Sequence, residues 1–170
     1  MKKTVLAFGL ISGAIASLLM FGTLPFVDRI GFDKGLFVGY TTIVASLLPV
    51  FFGIRSYREN VGGGTITFGR AFAVGILITL ISCAFYVIAW EIMYYNFMGD
   101  FCDRYANYLF EKARASGTSL QVVEAKVQQL KRILGNPFLN AAVTFTEPFP
   151  VGLIITLISS AILRKKESGR

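Results

Sequence analysis

Residues 72–95, FAVGILITLISCAFYVIAWEIMYY, contain a single carboxylate, Glu91, and no Lys, Arg or Asp. A helix needs about 20 mostly apolar residues to cross ~30 Å of hydrocarbon, and only helices and closed barrels satisfy every backbone polar group there. This run therefore reads as a transmembrane helix. Three further apolar runs of similar length lie at 4–27, 36–54 and 138–163. The chain has 170 residues, 54% of them hydrophobic, and its charges gather between the runs, which argues against a water-soluble globular domain. The expected fold is all-α and polytopic: one four-span membrane domain over 1–170, with an extracytoplasmic helical hairpin, about 96–137, between helices three and four.

Orientation follows from the basic residues. With the N-terminus inside, Lys2, Lys3, Arg55, Arg58, Arg70, Arg164, Lys165, Lys166 and Arg170 fall on the cytoplasmic face. Arg29, Lys34, Arg104, Lys112, Arg114, Lys126, Lys131 and Arg132 fall on the other, within longer loops. Cationic density is then about twice as high inside, which is the positive-inside bias and predicts cytoplasmic termini in an inner membrane. Acidic residues follow suit, with Glu59 and Glu167 inside and Asp28, Asp33, Asp100, Asp103, Glu111 and Glu124 outside. The net charge of +7 thus punctuates spans; it suits anionic lipid headgroups and does not point to nucleic acid. The lipid bilayer is the expected partner. The N-terminus mimics a signal peptide, with Met1-Lys2-Lys3 and then Ala14-Ile15-Ala16 before Ser17. Its apolar run continues to Val27, so an uncleaved first span is expected.

Small residues mark packing faces. Gly9, Gly13 and Ser17 recur every four residues in the first span, as do Gly152, Thr156 and Ser160 in the last. Such ridges let helices approach closely, either within the monomer, the simpler reading, or in a homo-oligomer or membrane-complex contact. Pro49 is expected to bend the second span. Beyond it, Arg55 and Arg58 precede the glycine run 62–64 and Arg70, a candidate headgroup or anion contact. A flexible hairpin with Thr67 capping the third span is the plainer alternative. In the insert, Phe101, Tyr105, Tyr108 and Leu109 share one helical face and Gly117 suits a helix stop. Thr118 and Gln121 form a potential capping box before a second helix whose Leu120, Val123, Val127, Leu130 and Leu134 make an apolar stripe. Asn136-Pro137 ends it. The two stripes are expected to pack on each other and on the membrane surface, or to offer one face to a partner.

Chemistry concentrates at two carboxylates within the runs, Glu91 and Glu147. No Lys, Arg or His lies inside any span, so both must find hydroxyl, backbone, water or edge partners, or be protonated. Glu147 opens the string Glu147-Pro148-Phe149-Pro150, where Pro148 and Pro150 remove amide donors and loosen the helix. Broken helices at membrane depth line ion sites in transporters. Glu91, Glu147, Pro148 and Pro150 are therefore a candidate intramembrane polar site for a proton- or cation-coupled transporter or channel. A structural kink is the competing reading, and the chain shows no internal repeat of the transporter kind. Trp90, Tyr94 and Tyr95 sit where an interfacial aromatic belt belongs.

With no His and only two cysteines, Cys83 and Cys102, the usual zinc ligand sets and Ser-His or Cys-His pairs are missing from the sequence. The cysteines lie about a full helix span apart, so two free thiols are expected. No catalytic residue, metal site or cofactor is predicted, and the leading expectation is a structural or accessory membrane component.

Three strings carry a resemblance: FFGIRSYR at 51–58, GGTITFGRAF at 63–72 and EPFPVGL at 147–153. Together they resemble a family of bacterial membrane proteins catalogued as domain of unknown function 4199, along essentially the whole chain. The resemblance implies a bacterial protein with four spans and a helical insert before the last. It implies no activity, and it gives no role to Glu147 or Arg70.

Overall fold

The computed structural model describes residues 1–165, without the side chains of Val27 and Asp28. Lys166, Glu167 and Arg170, assigned above to the cytoplasmic tail, lie outside the described residues. Four helical stretches are long and apolar enough to cross a membrane: Lys2–Phe26, Arg29–Asn60, Phe68–Phe97 and Pro137–Leu163. The described residues form helices throughout, with one isolated β-bridge.

Proline and glycine set the breaks. Helix α1 (Lys2–Thr23) ends in a 3-10 turn, Leu24–Phe26, around Pro25. Helix α2 (Val27–Leu47) starts earlier than the apolar run suggests and turns sharply at Gly31, whose φ of 67° and ψ of 167° only glycine adopts without strain. Pro49 produces the expected bend. It cannot donate to the Ala45 carbonyl, which instead takes the Leu48 amide at 3.4 Å, and α3 (Pro49–Asn60) begins with the proline in its first turn. Helix α4 (Phe68–Phe97) runs unbroken for 30 residues, and the Thr67 hydroxyl caps it by accepting from the Arg70 amide at 3.4 Å.

The insert forms α5 (Phe101–Ser116) and α6 (Leu120–Leu134), separated by Gly117 in the left-handed conformation. The expected capping box does not form. Ser119 is the N-cap and makes no side-chain bond, while the Thr118 hydroxyl pairs with Ser116 at 2.8 Å. The last span is two helices, α7 (Pro137–Phe145) and α8 (Pro148–Leu163). Asn136 and Pro137, expected only to stop α6, also start α7: Asn136 Oδ1 accepts from the amides of Phe138 and Leu139.

The small-residue ridges are seams inside the monomer. A Cβ on Gly9 would meet Ile81 at 2.9 Å and one on Gly13 would meet Phe85 at 2.5 Å, so α1 lies flush and parallel against α4. Gly152 sits under Thr79 and Gly75 under Thr156, and the two threonine hydroxyls bond at 3.2 Å. Ser12 joins three helices by donating to the Ser46 carbonyl at 2.6 Å and meeting the Ser82 hydroxyl at 2.9 Å. Leu47, Val50, Ile54, Val74 and Ile78 fill the core between them.

Each end of the bundle is tied. At the end bearing the chain termini, Ile66 and Lys165 exchange backbone hydrogen bonds at 3.0 Å, and Arg58 donates to the Leu163 carbonyl at 3.4 Å. At the other end, the α5 aromatics turn away from α6. Phe101, Tyr105 and Tyr108 surround Phe32 of α2, with centroids 5.1 to 5.8 Å away. Lys112 bonds Asp33 at 2.8 Å beside them. The α5–α6 seam packs Ala106 and Ala113, with Leu109 and Phe110 beside them, against Val123 and Val127.

Candidate functional site

The α7–α8 break comes from residues 144–150. Pro148 and Pro150 have no amide hydrogens for the Thr144 and Thr146 carbonyls, so the α-helical ladder lapses. The Glu147 amide takes Thr144 O at 3.2 Å instead, and the Thr146 hydroxyl bonds back to Val143 O at 2.6 Å. Pro148, buried, then opens α8 where its missing donor costs nothing, with Pro150, exposed, in the same turn. The string expected to loosen a helix divides it.

Glu147 stands at this break, exposed on the side of the bundle. Tyr86 of α4 donates its hydroxyl to Glu147 Oε2 at 2.9 Å. Tyr40 of α2 lies within electrostatic reach of Tyr86 on the same side. Glu91 is not part of this group. It follows Tyr86 by five residues on α4, a rotation of about 140° around the helix, and no hydrogen bond joins it to Glu147 among the described residues. Glu91 is half-buried, and its Oε1 has no hydrogen-bond partner among the described residues. The four residues grouped from sequence thus split into the Glu147 break and a separate Glu91 environment.

Three participants escaped the sequence reading. Tyr86 looked like an ordinary apolar-run aromatic; its signal was a hydroxyl in a span, which needs a partner. Asn140 is 2% exposed, accepts from Trp90 Nε1 at 3.1 Å, and leaves Nδ2 unbonded. A lone amide in an apolar run was the available clue. Trp90 therefore ties α4 to α7, while also stacking on Tyr94 and meeting Phe101 edge-on. Ser46, the third member of the serine knot, was equally unmarked.

The basic candidates diverge as well. Arg55 and Arg58 both hold Glu59, at 3.0 and 3.1 Å, and Arg58 also closes the end of α8. Arg70 is exposed. The glycine loop does not present an open nest of amides: those of Gly62 and Gly64 take the Tyr57 and Arg58 carbonyls, and that of Thr65 takes Gly62 O. The loop acts as hairpin and helix stop, and of the three arginines Arg70 makes no side-chain ion pair among the described residues.

Both cysteines are free, Cys83 buried and Cys102 half-buried, and burial pushes the Cys102 thiol up from its ordinary value. Among the described residues no three His, Cys, Asp or Glu side chains gather to hold a metal ion.

A family comparison matches residues 7–165, all four spans and the insert, to Protein of unknown function (DUF4199). The chain belongs to that family. No curated protein and no solved structure matches it. The DUF4199 match covers both the Glu147 break and the glycine hairpin, so these features belong to the family region of the chain.

Proposed function

We propose that the protein is a non-enzymatic structural or accessory component of a bacterial inner-membrane complex, with both termini cytoplasmic and the α5–α6 pair extracytoplasmic. The observation that carries this reading is the exposure of Glu147 within a span. A charged group at mid-span costs ~2.5–3.5 kcal/mol on insertion scales, so a carboxylate facing lipid calls for a covering surface. The bundle interior supports the same reading. Its helices meet through glycine, serine and threonine seams. The test is crosslinking in native membranes together with sizing in mild detergent. Discrete higher-mass products are expected; monomers alone, with no crosslinked species, overturn the proposal.

A second reading, a small proton- or cation-coupled transporter or channel, draws on the broken helix at Glu147. It requires pH-dependent flux in proteoliposomes that Glu147→Gln reduces without unfolding the protein. Flux unchanged in that variant removes Glu147 from any such mechanism.

A further inference from the structure

Glu147 lies ten residues from Pro137 and sixteen from Leu163, roughly 15 Å and 24 Å from the two ends of its span at ~1.5 Å per residue. Tyr86 engages Oε2, and no donor in the described chain reaches Oε1. The side of the bundle on which the carboxylate sits is open. Helix α2 packs on α1 and α8 and touches α4, and α7 packs on α4 and α6 and touches α8; among the described residues α2 and α7 share no extensive seam. Both helices carry exposed apolar side chains within about two turns of this level, Tyr40 and Val44 on α2 and Leu139 and Val143 on α7. An exposed apolar surface that carries a carboxylate is complementary to an apolar helix bearing one cation.

The chain cannot supply that cation readily to another copy of itself. Its apolar runs 4–27, 36–54, 72–95 and 138–163 hold no Lys, Arg or His, and the nearest basic position on α2, Lys34, is six residues above Tyr40, about 9 Å along the helix. We infer that the exposed surface around Glu147, between α2 and α7, receives a transmembrane helix of a different polypeptide, whose Lys or Arg at mid-depth pairs with Glu147 while Tyr86 holds the carboxylate in place. This rests on the accessory reading above and names the chemistry of its partner. The cation supplies the donor that Oε1 lacks, and pairing removes an exposed charge from lipid.

The full chain in phosphatidylcholine vesicles tests it, because Trp90, its single tryptophan, lies one helical turn from Tyr86. The probe is a synthetic Leu/Ala transmembrane peptide with one central Lys and a terminal dansyl acceptor; its control carries Leu in place of the Lys. The Lys peptide is expected to quench Trp90 at about tenfold lower peptide density than the control. Glu147→Gln should abolish the difference and Glu147→Asp should retain it, which separates loss of charge from loss of fold. Tyr86→Phe should weaken it. Equal quenching by both peptides, or full discrimination in Glu147→Gln, overturns the inference. So does self-association that Lys34→Gln dissolves. A hydrophobic carbodiimide, which modifies protonated carboxyls in lipid, supplies the last arm. Protection of Glu147 by the Lys peptide supports pairing; labelling unchanged by it shows a neutral acid and overturns pairing. Persistent crosslinks in native membranes, alongside a peptide that fails to bind, would sink this inference and leave the accessory reading standing.

Discussion

Thr79 and Thr156 share a hydrogen bond at 3.2 Å between α4 and α8, and each threonine stands over a glycine of the other's helix. The arrangement is reciprocal. Backbones that approach this closely gain dispersion contacts and satisfy two hydroxyls that would otherwise face hydrocarbon. The same logic places Ser12 between Ser46 and Ser82, so the bundle is joined by small polar residues at its centre and by aromatic and charged ties at its ends.

Gly152→Val should separate α8 from α4, because the Thr79 side chain occupies the space a Cβ would need. Overpacking of this kind costs about 1–3 kcal/mol. A lowered Tm in detergent is expected, whereas Gly39→Val, at a position with open space, should leave Tm nearly unchanged.

Asn140→Ala should strand the half-buried Trp90 indole N–H, at a cost of about 1 kcal/mol. With one tryptophan in the chain, its emission reports the loss directly. A shifted emission maximum and a lower Tm are the expected pair; an unchanged spectrum would mean the bond is not maintained.

The Lys112 bond to Asp33 holds the lysine ammonium above its usual pKa, with the Tyr108 hydroxyl adding to the effect. A raised folded pKa gives stabilisation that is complete below the unfolded lysine value of ~10.4 and fades as pH rises through the folded value. Protection of α5 amides from hydrogen exchange, corrected for intrinsic rate, should therefore stay flat from about pH 6 to 9. Lys112→Met should lower it across that whole range.

Topology reporters decide the membrane sides. A fusion within 116–119 should report from outside the cytoplasm and one after Arg170 from within it. Either result reversed would invert the proposed orientation.

The four helices long and apolar enough to cross a membrane were legible because lipid imposes one rule on any stretch that crosses it: about 20 apolar residues, hydrogen-bonded within themselves. Helix ends set by local chemistry were legible too, as at Thr67, Pro49 and Gly117, where the residue that acts lies within a turn of the bond it makes or removes. The Thr118–Gln121 box failed because Thr118 had a nearer hydroxyl partner in Ser116, a competition the four-residue motif does not encode. Phe101, Tyr105 and Tyr108 were rightly placed on one face, yet Phe32, distant in the chain, claimed that face before α6 could.

The candidate site divides along the same line. Composition and spacing alone determined that Glu147 sits within a span at a proline-weakened turn, since both facts depend on neighbours in the chain. Tertiary structure alone decided that Tyr86 binds it, that Glu91 does not join it and that Glu147 is exposed. Those outcomes depend on how α4 and α8 are rotated about their own axes. Hydropathy reports how deep a side chain lies, whereas rotation is set by which glycine admits which threonine across a seam, a relation between residues 77 positions apart.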